Sequence, residues 1–225
     1  MNTVAKKTAF PLFIVVAVVQ LLSILFEWEQ LRFVSKPLLM PLLMLAVYAN
    51  TETGRGRHTI ILALFFSFLG DTFLLYDYKN ASFFIIGLVC FLITHIIYII
   101  YFLSLKPAKV SFLKTNWWIV LLVAGYGIAL VWFLYPSLGP LKIPVLVYAL
   151  VICSMLLSSI HIYPRVKWQV GQLFIAGAFF FVLSDSLLAI NKFSQPFPFA
   201  GVAIMLTYCL AQYCIAKGFV QSRSM

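Results

Sequence analysis

The sequence predicts an all-α, polytopic membrane helix bundle with about eight transmembrane helices, forming a single integral membrane domain over residues 1–225. Three observations carry this prediction. Hydrophobic residues make up 64% of the 225 and charged residues only 10%, whereas a soluble domain keeps roughly a quarter of its residues charged to face water. Mean hydropathy is +1.05. Apolar runs recur at lengths near the ~20 residues that cross the hydrocarbon core, and the basic residues between them are strongly sided.

The apolar runs cover residues 10–26, 37–49, 59–76, 82–105, 117–135, 143–161, 170–190 and 197–219. The first follows Lys6 and Lys7, as a signal peptide would. It is too long for one and leads into Glu27-Trp28-Glu29 without a small-residue cleavage site, so it reads as a retained first helix. The second is short, begins at Pro37 and contains Pro41, which suits a tilted or broken span that starts on a proline. The other six are ordinary spans.

With eight spans, the N-terminus and the even-numbered loops lie on one side. That side holds eleven cations: Lys6, Lys7, Arg55, Arg57, Lys106, Lys109, Lys114, Arg165, Lys167, Lys217 and Arg223. The other side holds five: Arg32, Lys36, Lys79, Lys142 and Lys192. The positive-inside rule then places both termini in the cytoplasm, in what reads as a bacterial inner membrane. The net charge of +10 is thus topological, with anionic headgroups as its partner. No basic stripe with interleaved aromatics is present, which excludes a nucleic-acid role, and no obligate protein partner is evident. Cys90, Cys153, Cys209 and Cys214 all fall inside apolar runs and read as small core residues.

Two stretches resemble each other. Phe65–Leu75, centred on Leu69-Gly70-Asp71-Thr72, parallels Phe179–Ala189, centred on Leu183-Ser184-Asp185-Ser186. The seventh span is thereby the counterpart of the third, four spans on and in the same orientation, as two parallel four-helix halves require.

Asp71 and Asp185 are two of six acidic residues in the chain, and both sit inside spans. A carboxylate there is disfavoured by about 2.5–3.5 kcal/mol on insertion scales and is rarely idle. Counted from the apolar runs, each lies about six residues before the outer end of its helix, roughly 9 Å deep at the rise of an α-helix. Acids at one depth on parallel helices can share a cavity that opens outward. The structural alternative is helix-packing hydrogen bonds to neighbours such as Ser67 and Ser184.

Further polar groups that lipid would not tolerate accompany them. His95 shares a helix face with Phe91 and Tyr98, and Tyr208 shares one with Gln212. Asn191 lies in the same span as Asp185, toward its outer end. Lys36 stands at the outer mouth of the second helix, either holding an anionic headgroup or snorkelling at the interface. The candidate site is therefore Asp71 and Asp185 as catalytic groups, with Lys36, Ser67, His95, Tyr98, Ser184, Asn191, Tyr208 and Gln212 around the substrate. No metal or other cofactor is expected: His58, His95 and His161 are too scattered for one ion, and HExxH, GxSxG and Walker patterns are missing. A mixed site of His95 with both aspartates is the one open alternative.

The stretches Ser35-Lys36-Pro37-Leu38-Leu39-Met40-Pro41-Leu42-Leu43, Ser67-Phe68-Leu69-Gly70-Asp71 and Leu183-Ser184-Asp185-Ser186-Leu187-Leu188-Ala189 closely resemble the YhhN family. So do His95-Ile96-Ile97-Tyr98, and Tyr208 with Ala211-Gln212. The resemblance implies eight spans and the activity of the family's lysoplasmalogenases. These are membrane hydrolases that cleave the vinyl ether bond of lysoplasmalogens to a fatty aldehyde and a glycerophospho-base. A lysophospholipid substrate and membrane lipid are then the expected partners.

The residues suit that chemistry on their own terms. A vinyl ether hydrolyses when an acid protonates its β-carbon and water captures the oxocarbenium ion. That takes a proton donor and a negative charge near the developing cation, which a pair of carboxylates supplies, as in glycosidases. The competing readings are a proton-coupled transporter or exporter relaying protons through Asp71 and Asp185, and a non-catalytic lipid-binding protein.

Overall fold

A computed structural model describes residues 3–105 and 111–223. Lys106 and Lys109, counted above among the cytoplasmic cations, lie outside the described residues. The regular elements are helical: α1 (Thr3–Leu25), α2 (Glu29–Asn50), α3 (Arg55–Leu74), α4 (Ala81–Ser104), the short α5 (Phe112–Thr115), α6 (Trp118–Leu134), α7 (Lys142–Ile162), α8 (Trp168–Phe193) and α9 (Ala200–Arg223), with brief 3₁₀ turns between. Eight of the helices among the described residues are long and apolar enough to cross a membrane. Only helices and closed barrels satisfy every backbone group in lipid, so this multi-pass arrangement follows directly from the composition.

The second helix corrects the sequence reading. It does not begin at Pro37 but runs unbroken from Glu29 to Asn50, with Pro37 and Pro41 inside it. Each proline removes one of the helix's own N–H donors, which in water would cost about 3 kcal/mol or more. Packing holds the helix together instead. Both α1 and α3 lie against α2, and Leu39, Met40, Leu43, Ala46 and Val47 are completely buried. Ser35 adds a polar tie, donating to Gln20 Oε1 of α1 at 2.6 Å. Arg32 and Lys36 ended the apolar run by hydropathy, yet both lie within the helix, so Lys36 is its eighth residue rather than its mouth.

By contacts between Cα atoms the chain divides into two compact units, Met1–Tyr101 with Phe219–Met225, and Phe102–Gly218. In the first unit, α1 closes with Glu27 in the left-handed region (φ 57°) and Trp28 N–H bonded to Ser23 O at 2.9 Å, a Schellman-type turn that feeds α2. Arg57 clasps the next turn, donating to Thr51 O at 3.0 Å and Thr53 Oγ1 at 2.6 Å. Gly70 brings α3 close to α4: a Cβ there would stand 2.7 Å from the Phe91 ring.

In the second unit, α7 packs against α6 and α8. Leu134, Leu138 and Val145 form a buried cluster with Ala189, Ile190 and Phe193 of α8 around them. Gly177 does for α8 and α9 what Gly70 does for α3 and α4. A Cβ at Gly177 would meet Ile215 Cγ1 at 2.6 Å and the Ala211 carbonyl at 2.9 Å.

Candidate functional site

The candidate residues fall into two groups, one inside each unit. In the first, Asp71 lies on α3 with 2% of its surface exposed. Its Oδ1 stands 3.7 Å from Lys36 Nζ of α2. The placement follows from the extended α2: seven residues in from Glu29, Lys36 is roughly 10 Å along the helix axis. Its ammonium turns to the one acid that α3 offers. Ser67, one turn before Asp71, is fully buried and shares a hydrogen bond of 3.1 Å with Thr94 of α4. Thr94 also reaches the Ala63 carbonyl at 3.1 Å, tying α3 to α4. His95 and Tyr98, on α4, are both completely buried.

In the second unit, Asp185 is partly buried on α8. Tyr148 of α7 donates its hydroxyl to Asp185 Oδ2 at 2.5 Å. One residue on, Ser186 accepts a hydrogen bond from Tyr126 of α6 at 2.7 Å and donates to its own helix at Val182 O, 2.6 Å away. These four side chains line a small cavity of about 40 Å³, room for a water or two at the ~10–15 Å³ that one requires. The other flank of Asp185 is structural: Ser184 donates to the Ile204 carbonyl of α9 at 3.1 Å. Tyr208, edge-on to Phe181 with ring centroids 5.7 Å apart, and Gln212, whose Nε2 is 3.5 Å from the Tyr208 hydroxyl, line up on α9. Asn191 Oδ1 accepts from the Phe197 backbone N–H at 3.4 Å, closing the turn after α8.

The helix ends overturn the equal count from which the two aspartates were set at one depth. Helix α3 stops at Leu74, three residues past Asp71, while α8 continues to Phe193, eight past Asp185. The apolar run at 59–76 ran on into Leu75 and Tyr76, which are turn residues, and hydropathy has no means of seeing where the backbone leaves the helix.

Sequence reasoning missed Tyr148, Tyr126, Thr94 and Gln20. The signal for them was available, since a hydroxyl or amide inside an apolar span must find a partner. Tyrosine, however, is common in such spans, and its partner is set by helix rotation. No group of three or more His, Cys, Asp or Glu side chains placed to hold a metal ion occurs among the described residues.

Eight helices long and apolar enough to cross a membrane, among the described residues, define a multi-pass membrane protein that carries ionisable and hydroxyl side chains bonded to one another inside its spans. The profile of the YhhN family matches residues 31–219, and the chain belongs to that family. It is 33% identical over 169 residues to lysoplasmalogenase TMEM86A of Homo sapiens, covering 73% of this chain and 66% of that protein. It is 30% identical over 185 residues to lysoplasmalogenase TMEM86B of Sus scrofa (81% and 74%). Against the lysoplasmalogenase of Mycobacterium tuberculosis (strain CDC 1551 / Oshkosh) it is 30% identical over 189 residues (83% and 69%). The match thus spans just under two thirds of the human TMEM86A protein. No solved structure matches the chain.

Proposed function

We propose that this protein is a membrane-embedded ether hydrolase that cleaves the vinyl ether bond of lysoplasmalogens, releasing a fatty aldehyde and a glycerophospho-base. The observation that carries the reading is family membership together with relatives named lysoplasmalogenase at 30–33% identity over most of the chain. Relatives named lysoplasmalogenase also weigh against the exporter reading.

The surroundings of each carboxylate support acid catalysis with divided roles. As half of an ion pair with Lys36, Asp71 carries charge and suits the stabilisation of a developing cation. Asp185 has a neutral phenol as its partner and a cavity beside it, which suits proton transfer. In the proposed step the Asp185 carboxyl gives its proton to the β-carbon of the vinyl ether, leaving an oxocarbenium ion. A water adds to the cationic carbon and returns a proton to the carboxylate. The resulting hemiacetal collapses to aldehyde and alcohol, so atoms and charge balance without a further reactant. Tyr148 positions Asp185; Ser67, His95 and Tyr98 accompany Asp71 in the first unit, and Ser184, Asn191, Tyr208 and Gln212 accompany Asp185 in the second. The protein would work in a bacterial inner membrane with both termini in the cytoplasm.

The decisive experiment is aldehyde release by the purified protein from a 1-alkenyl lysophospholipid, with the 1-acyl analogue as control. The expected result is aldehyde from the alkenyl lipid alone. No aldehyde in any lipid or detergent would sink the proposal.

A further inference from the structure

Along the outer surface of the second unit, α6 and α7 leave an apolar groove of about 490 Å³, within the ~300–1,000 Å³ usual for small-molecule sites. It exists because its walls are small. Ala124 and Gly127 on α6 and Ala149 and Cys153 on α7 hold the floor, and Trp132 and Leu150 stand at the rim, 80% and 68% exposed. Any bilayer chain can lie in a trough that faces lipid, but two observations make this one particular.

Its floor adjoins the cavity beside Asp185. Gly127, Val131, Ala149 and Cys153 line both, so these side chains alone stand between the trough and the cavity of Asp185, Tyr148, Ser186 and Tyr126. Its end also carries a cation. Lys142, Leu146, Ala149 and Cys153 follow one another at spacings of four, three and four, a single stripe of α7. At the head of that stripe Lys142 Nζ stands 4.3 Å from the centre of the Tyr135 ring, and Tyr135 lines the groove. The trough is therefore apolar along its length, backed by an acid behind its floor and positive at one end.

We infer that this groove seats a single-chain phospholipid, with the tail along α6 and α7 and the phosphate at Lys142. The inference rests on the hydrolase reading and deepens it by naming the substrate's seat. The spacing suits a lysophospholipid: six residues from Lys142 to Tyr148 is roughly 9 Å along the helix axis, enough for a glycerol between phosphate and scissile bond.

The test measures binding of a saturated 1-hexadecyl lysophosphocholine, which has no vinyl ether to cleave, and of its octyl counterpart, to the full-length protein in detergent. Ala149→Trp fills the trough. It is expected to weaken hexadecyl binding at least roughly tenfold, the equivalent of about two displaced methylenes, and octyl binding less. Lys142→Ala is expected to weaken both probes by the same factor. Ile143→Trp is the control, since Ile143 is 74% exposed on the same helix and outside the groove, and it should bind as the wild type does. Unchanged hexadecyl binding in Ala149→Trp, or equal loss in Ile143→Trp, overturns the groove even if the wild type releases aldehyde. Wild type that binds the probe in the groove but releases no aldehyde from the alkenyl lipid overturns the hydrolase reading and leaves the groove standing.

Discussion

Tyr148 and Asp185 meet across α7 and α8, the phenol hydroxyl donating to a carboxylate oxygen at 2.5 Å. Thirty-seven positions separate them in the chain, and a bond of this kind fixes both the rotation of α8 about its axis and the direction in which the carboxyl points. If Asp185 transfers the proton, Tyr148 is its positioning residue. Tyr148→Phe keeps the ring and removes the donor, at a cost of about 1–3 kcal/mol for a polar partner left behind. Turnover should fall at unchanged KM, and the pH profile of kcat should move. A stability loss with an unmoved profile would reduce Tyr148 to a structural role.

Asp71→Asn and Asp185→Asn retain size and hydrogen-bonding capacity while losing the charge and the transferable proton. Each is expected to abolish most aldehyde release while the protein still folds. The double variant should be scarcely worse than either single one, because groups acting as a unit are non-additive. Substantial activity in either variant removes that residue from the mechanism.

Lys36 and Asp71 form a buried ion pair, and losing one member leaves the other uncompensated at a cost of about 3–5 kcal/mol. Lys36→Met should therefore lower the unfolding temperature clearly, and Lys36→Met with Asp71→Leu should recover much of it. Kinetics separate the two roles of this lysine. Loss of kcat follows if it holds Asp71 charged, whereas a rise in KM alone would return it to headgroup binding.

Two glycines of the second unit offer an internal contrast. Gly177→Ala forces a methyl against the Ala211 backbone carbonyl, which cannot give way, and should destabilise the protein. Gly125→Ala meets nothing within 4 Å and should leave stability unchanged or raise it, by up to the ~1 kcal/mol that alanine gains over glycine in a helix. Thermal unfolding in one detergent decides both. Equal losses would mean that the close approach of α8 and α9 is not limiting.

Orientation is open to a direct check. A green fluorescent protein fused to the C-terminus folds only in the cytoplasm, and it should fluoresce if the eleven-to-five cation bias sets topology. A dark but expressed fusion, active as a periplasmic reporter instead, would reverse the assignment.

What the sequence determined by itself is the number of spans and the residues worth attention. Insertion into lipid sums transfer free energies along about twenty neighbouring residues, so eight helices and two costly aspartates are visible in one dimension. Tertiary structure decided the rest. Hydropathy began α2 only at Pro37, because Arg32 and Lys36 subtract from any local sum. In the fold the helix already begins at Glu29, because α1 and α3 pack along it and Asp71 receives the lysine. The partners of Asp185 lay equally out of reach. Whether Tyr148 faces its carboxylate or lipid depends on how α7 is rotated against α8, which is settled by side chains from distant parts of the chain meeting at van der Waals distance. No periodicity within one helix encodes that angle.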